Sequence, residues 1–211
     1  MKITKYVHSC LLVETPELIV LIDPGNYSWD SHLLAIDKLE KLDYIVVTHE
    51  HADHYHEPFL RAVAQKFPYT PIVTNNDLAD EIKKLEIKNP IMTGSDDNIQ
   101  VFEAAHEPPS WGLQAPSNIG VHIAGQFTHP GDALHIQHSR DILALPITAP
   151  FASIKEALEA AIAIKPKVII PIHDWPWHKQ AKGEYYAKAK KYLQTQGVEF
   201  IELENAVPVA I

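Results

Sequence analysis

The sequence predicts an α+β fold made of two strand-rich halves, each with intervening helices, packed together. Three observations carry that expectation. Short β-rich runs fill the opening of the chain, segments of helical periodicity alternate with later β-like runs, and the same mixture recurs in the second half. Residues 2–7, 10–14 and 18–22 read as strands, with Thr15-Pro16-Glu17 between the last two, so two hairpins are the natural construction. Asp23-Pro24-Gly25-Asn26 is a strong stop, because proline fixes one turn position while glycine and asparagine tolerate positive φ. Leu33, Leu34, Ile36, Leu39 and Leu42 predict a helix, and residues 43–48 a buried strand. Helical periodicity returns over 58–66, with Pro58 in a first turn, and over 76–85. Short β-like pieces, 71–74 and 90–93, lie between and after them.

Residues 98–105, 118–127 and 141–147 then read as strands, each touching a polar cluster. Ser153-Ile154-Lys155-Glu156 is a capping box that opens a helix to residue 164. A buried strand over 167–172, a helix over 183–194 and a last strand over 199–203 complete the chain. No fixed-period repeat or low-complexity segment interrupts it. With 211 residues, 46% of them hydrophobic, one domain spanning 1–211 is expected.

Composition excludes several classes. No apolar run approaches the roughly 18 residues of a membrane-spanning helix, and the alternating Met1-Lys2-Ile3-Thr4-Lys5 is unlike a secretory signal. A lone Cys10 among Leu11, Leu12 and Val13 reads as a small core residue and points to the cytoplasm. A formal charge of −9, from 18 basic against 27 acidic residues, argues against a nucleic-acid partner, which needs clustered lysine and arginine. The 13 histidines invite a search for metal-ligand spacing.

Thr48-His49-Glu50-His51-Ala52-Asp53-His54 rewards that search, since it sets three imidazoles and a carboxylate directly after a buried strand. Alternate side chains of an extended chain share a face, so His49 and His51 can point at one ion while Asp53 and His54, past the bend, reach a neighbour. The competing reading, a solvated polar loop, requires this H-x-H-x-D-H to fall at a strand end by chance.

These residues resemble the T-H-x-H-x-D-H signature of the metallo-β-lactamase superfamily, and the order of later elements extends the resemblance over nearly the whole chain. It implies an αββα sandwich, two mixed sheets flanked by helices, with two divalent ions at the edge between the sheets. It further implies that His106, after the strand over 98–105, completes the first ion's set with His49 and His51. Asp132, in His129-Pro130-Gly131-Asp132, would bridge the ions, and His173, ending Val168-Ile169-Ile170-Pro171-Ile172-His173, would join Asp53 and His54 on the second. Asp23 is expected to orient a ligand instead of ligating. Two ions about 3.5–4 Å apart would bring the pKa of a bridging water toward ~7, making hydroxide the nucleophile, with Asp53 ligating and orienting it.

Other residues are placed less sharply. His129, His135 and His138 read as surface imidazoles, His56 as a cap of the helix at Pro58, and His8 as either a cleft residue or a structural histidine. Trp111, Trp175 and Trp177 lie where site walls would be, or pin loops to the body. No motif names the acid that protonates a leaving group.

The resemblance implies a metal-dependent hydrolase of a small ester, lactone or phosphodiester. Val7-His8-Ser9-Cys10-Leu11-Leu12-Val13-Glu14 and Pro171-Ile172-His173 are most similar to the branch containing ascorbate-6-phosphate lactonase and phospholipid-cleaving phosphodiesterases. Zinc suits an imidazole-rich set, with manganese or iron as alternatives. A di-iron redox protein is the second reading, weakened because flavodiiron proteins carry glutamate where this chain has His51. A non-catalytic metal-binding module is the third.

Overall fold

A computed structural model describes residues 1–108 and 114–211. The chain opens with an antiparallel meander of β1 (Lys2–Val7), β2 (Cys10–Glu14) and β3 (Ile19–Ile22), which pairs Ile3 with Val13 and Leu12 with Leu21. Strands β4 (Tyr44–Val47), β5 (Ile72–Thr74) and β6 (Ile91–Met92) extend β3 in parallel. Between them run α1 (Asn26–Ser31), α2 (Glu57–Lys66) and α3 (Asn76–Lys83). The second sheet holds β7 (Ile99–Glu103), β8 (Ile119–Ile123), β9 (Phe127–His129), β10 (Ile142–Pro146), β11 (Val168–Ile172) and β12 (Glu199–Phe200), with α4 (Ile154–Ile164) and α5 (Lys179–Thr195) packed on it. Strand β13 (Val209–Ala210) returns to pair with β1, giving sheet orders β13-β1-β2-β3-β4-β5-β6 and β12-β11-β10-β9-β8-β7.

Period-two alternation in the strands builds the layers. In β2, Leu11 and Val13 face the second sheet, while Cys10 and Leu12 face α2 and α3; in β4, Val46 points inward and Ile45 and Val47 outward. The inter-sheet layer joins Ile3, Val20 and Ile22 to Val121, Ile123, Ile142 and Ile170. Phe59, Leu60, Val63, Leu78 and Ile82 close one outer layer, and Leu158, Tyr186 and Leu193 the other. The result is the expected αββα sandwich of mixed sheets. Cys10 is a buried core thiol.

Several elements differ from expectation: α1 and β13 were not foreseen, and three others changed form or bounds. The helix over 33–42 is absent: only Ile36–Lys38 makes a 3₁₀ turn, because Leu34, Ile36 and Leu39 reach the α2 layer from irregular backbone, and Leu33 is exposed. The strand over 118–127 is a hairpin, β8 and β9, turned at Ala124 and Gly125, both at positive φ. That is the geometry of a type I′ turn, entered here by an alanine where asparagine is customary. Helix α5 begins four residues before the expected 183, at Lys179. The capping box at Ser153 and Glu156 forms as read. Among the described residues no helix is long and apolar enough to cross a membrane.

Strand direction positions the site. Strands β1, β3 and β4 run the same way, as do β7, β9 and β11, so their C-terminal ends line one edge of the sandwich.

Candidate metal centre

Each of those ends delivers polar side chains. His8 follows β1, Asp23 follows β3, His49 through His54 follow β4, His106 follows β7, Asp132 follows β9, and His173 follows β11. They gather into two groups whose potential ligand atoms lie within 4.8 Å of one another: His49, His51, His106 and Asp132, and His8, Asp53, His54 and His173. Asp132 joins them. Its Oδ2 lies 3.6 Å from His106 Nε2 and 3.2 Å from His173 Nε2, and its Oδ1 3.2 Å from His54 Nε2.

Outer partners aim the rings. His54 Nδ1 donates to Asp23 Oδ2 at 2.7 Å, His106 Nδ1 to the Glu107 carbonyl at 2.6 Å, and His173 Nδ1 to the Thr148 carbonyl at 2.6 Å. His49 Nδ1 meets Thr48 Oγ1 at 3.0 Å, and that hydroxyl donates to Asp23 Oδ2. With Nδ1 occupied outward, Nε2 of each of these rings is presented inward, the arrangement that prepares an imidazole to ligate. His51 instead turns Nδ1 toward His49 Nε2, 3.1 Å away.

The backbone that carries these groups is braced. Gly25 lies against the His-rich loop, where an added Cβ would sit 1.8 Å from the Asp53 carbonyl oxygen. Gly131 has φ +59° and abuts Asn118, whose amide donates to the carbonyls of Ala104 and Pro130. That asparagine ties the His106 and Asp132 turns together.

Buried atoms in the centre test whether a cation fits. His54 Nε2, His106 Nε2 and Asp132 Oδ1 are buried without a hydrogen-bond partner, although His54 Nε2 and Asp132 Oδ1 are close. Leaving each such group unpaired costs about 1–3 kcal/mol. Nitrogen and carboxylate donors converging this way match a divalent transition metal.

Electrostatics agree. Burial, helped by neighbouring imidazoles, holds His49 well below the ordinary histidine range and lowers His51, leaving their lone pairs free. Burial opposes ionisation of Asp132, but His173 and His54 outweigh it and keep the carboxyl well below its usual range. Burial likewise opposes a charged His173, yet Asp132 and Asp53 raise it to about 9. Without metal, protons on His54 and His173 compensate the carboxylates.

Residues 2–173 match the beta-lactamase superfamily domain. The chain belongs to the metallo-β-lactamase superfamily of metal-dependent hydrolases. It is 30% identical to a UPF0173 protein of Pyrococcus abyssi, over 82% of this chain and 83% of that one. A UPF0173 metal-dependent hydrolase of Carboxydothermus hydrogenoformans is 28% identical, covering 90% of this chain and 92% of its own length. Among solved structures, Igni18, a metallo hydrolase of Ignicoccus hospitalis, superimposes with a TM-score of 0.73 at 19% identity, over 100% of this chain and 98% of that one.

The fold brings His49, His51, Asp53, His54, His106, Asp132 and His173 together, and Asp23 accepts from His54 behind them. Several other expectations need correction. His129 is fully buried, with Nδ1 accepting from the Gly131 amide, so it belongs to the turn that presents Asp132. His135 and His138, in contrast, are exposed as expected. His56 occupies the N-cap position of α2 without a side-chain capping bond and leans on Trp29. Trp175 is half exposed and stacks on Tyr27 at the rim, whereas Trp177 packs on Tyr185 and Tyr186 and pins its loop; Trp111 lies outside the described residues. Phe151, unremarked in the sequence, sets its ring 5.4 Å from His106 and 5.9 Å from His173. No spacing signal marked it, because it comes from an irregular loop.

Proposed function

We propose that this chain hydrolyses a small ester, lactone or phosphodiester at a two-metal centre. His49, His51 and His106 would hold one ion, Asp53, His54 and His173 the other, with Asp132 between them. The observation that carries the reading is Asp132, whose two oxygens face imidazoles of both groups. Bound divalent ions, zinc on the imidazole-rich donor set, would lower the pKa of a shared water and stabilise charge developing on the attacked oxygen.

The chain's own residues do the rest. Asp53, partly exposed with its Oδ2 beside His173 and His54, is placed to accept a hydrogen bond from the attacking water and orient it. Thr48 and Asp23 keep His49 and His54 aimed inward throughout turnover. Phe151 and the Trp175–Tyr27 stack give the mouth an apolar rim, which suits a substrate with an apolar or ring-bearing portion. A groove of about 590 Å³ beside His51, lined by Glu50, Tyr55, Glu57 and Glu81, is of small-molecule size.

Two cations that could bind an anion are already engaged. Arg61 is paired with Glu57, and Lys182 with Asp174. An anionic substrate would depend on the metals themselves. The resemblance to ascorbate-6-phosphate lactonase makes phosphorylated lactones the first substrates to try, and the single buried thiol supports a reducing compartment such as the cytoplasm.

The test is a panel of lactones, esters, phosphodiesters and nucleic acids offered to metal-loaded protein. Turnover of a small substrate that falls nearly to background in His49→Ala and Asp132→Asn, but survives in His138→Ala, is expected. Equal losses in all three, or faster cleavage of RNA or DNA, would contradict the reading.

A further inference from the structure

We propose that His8 is a positioning residue for Asp53 and not a ligand of the second ion. This rests on the two-metal reading above. By distance alone His8 qualifies as a ligand, since its ring nitrogen lies within 4.8 Å of the donor atoms of Asp53, His54 and His173. Hydrogen bonding separates the roles.

A backbone amide can only donate, and the Trp175 amide approaches His8 Nδ1 at 3.3 Å. Nδ1 is therefore an acceptor, and a neutral imidazole with an accepting Nδ1 carries its hydrogen on Nε2. That nitrogen faces Asp53 Oδ2 at 3.0 Å and donates to it. A ligand at this position would need the opposite, a bare Nε2 and an Nδ1–H pointing outward.

His54, His106 and His173 show that opposite arrangement. Their Nδ1 atoms meet a carboxylate and two carbonyls, which can only accept, so each Nδ1 carries a hydrogen and the inward Nε2 is the nitrogen that is bare once the ring is neutral. His8 is held against a ring flip by its neighbours. Its ring lies 4.0 Å from His173 and 5.2 Å from Tyr27, and its carbonyl accepts from the His173 amide. His8 and His173 both sit at positive φ, so the turns after β1 and β11 interlock.

Asp53 is the more exposed carboxylate of the proposed set, with 24% side-chain exposure against 3% for Asp132. Without a donor behind it, Asp53 can swing to solvent. The His8 bond keeps Oδ2 turned toward His173 and His54, and groups of this kind are worth about 10–100-fold in metal affinity.

Nitrogen-15-labelled protein loaded with cadmium-113 tests the proposal. One-bond coupling to cadmium is expected at His49, His51, His54, His106 and His173, and none at His8, whose Nε2 shows a bonded proton. Coupling at His8 together with the others, or a proton on His8 Nδ1, overturns the role given to His8 alone. No coupling at any histidine overturns the two-metal reading and this proposal with it. In zinc titrations, His8→Ala is expected to weaken the second ion about 10–100-fold while still binding two at saturation. His8→Gln, which keeps an amide donor, restores most of that affinity. A glutamine variant as weak as the alanine variant, or an alanine variant that saturates at one ion, contradicts positioning.

Discussion

Asp23 shows how much one residue can organise. Its Oδ1 accepts from the Thr48 amide, and its Oδ2 accepts from Thr48 Oγ1 and His54 Nδ1, so one buried carboxylate sets two rings, directly for His54 and through Thr48 for His49. Asp23→Ala is expected to lower metal affinity about 10–100-fold without removing any proposed ligand, as measured by competition with a chelator. Protons enter the same balance. His173 is raised to about 9 by Asp132 and Asp53 against the opposing effect of burial, and it must lose its proton to ligate. Affinity for the second ion should therefore climb as pH rises toward 9, with protons released on binding. Calorimetry in buffers of different ionisation enthalpy reads that release, and binding that is independent of pH would be the contrary result. Gly131 is a third sensitive point. At φ +59°, with Asn118 Oδ1 only 2.0 Å from where a Cβ would lie, Gly131→Ala should cost more than the ~1 kcal/mol typical of a left-handed glycine. Denaturant unfolding measures it.

Elements differ in how legible they were. The H-x-H-x-D-H run fixed His49, His51, Asp53 and His54 because its spacing is local, and the strand over 43–48 announced itself by an unbroken apolar run. His8, His129 and Phe151 were not legible, because their roles depend on which strand ends meet, and a residue's neighbours across two sheets leave no local pattern. The missing helix over 33–42 has the same origin, since tertiary packing satisfied Leu34, Ile36, Leu39 and Leu42 without helical backbone. Also hidden was the junction of β1, β11 and α5. There Asp174 Oδ2 receives Lys5 Nζ at 2.7 Å, Lys182 Nζ at 2.7 Å and the Tyr186 hydroxyl at 2.8 Å, immediately after His173. Burial opposes the charge on Asp174, but Lys5 and Lys182 outweigh it and hold the carboxyl far below its usual range. The stabilisation that follows from a depressed carboxyl is present above the unfolded value of about 3.9 and is lost as pH falls below it. Asp174→Asn would strand the buried Lys5 and is expected to destabilise by about 3–5 kcal/mol at neutral pH, with a shallower acid limb than the parent. An acid limb unchanged by the substitution would show that the network carries no linkage.

At the scale of the whole molecule, the proposed centre is shared between the sheets, since β1, β3 and β4 supply one part and β7, β9 and β11 the other. We therefore expect residues 1–211 to unfold as one unit, with metal raising the midpoint by mass action. Two separated transitions in calorimetry would contradict that. The charge of −9 predicts no salt-steep retention on RNA or DNA. The most direct test of the central claim is the metal content of the protein by plasma mass spectrometry after reconstitution with zinc, manganese or iron. Two ions per chain are expected, falling to at most one in His173→Ala. No bound metal under any of those conditions would contradict the account.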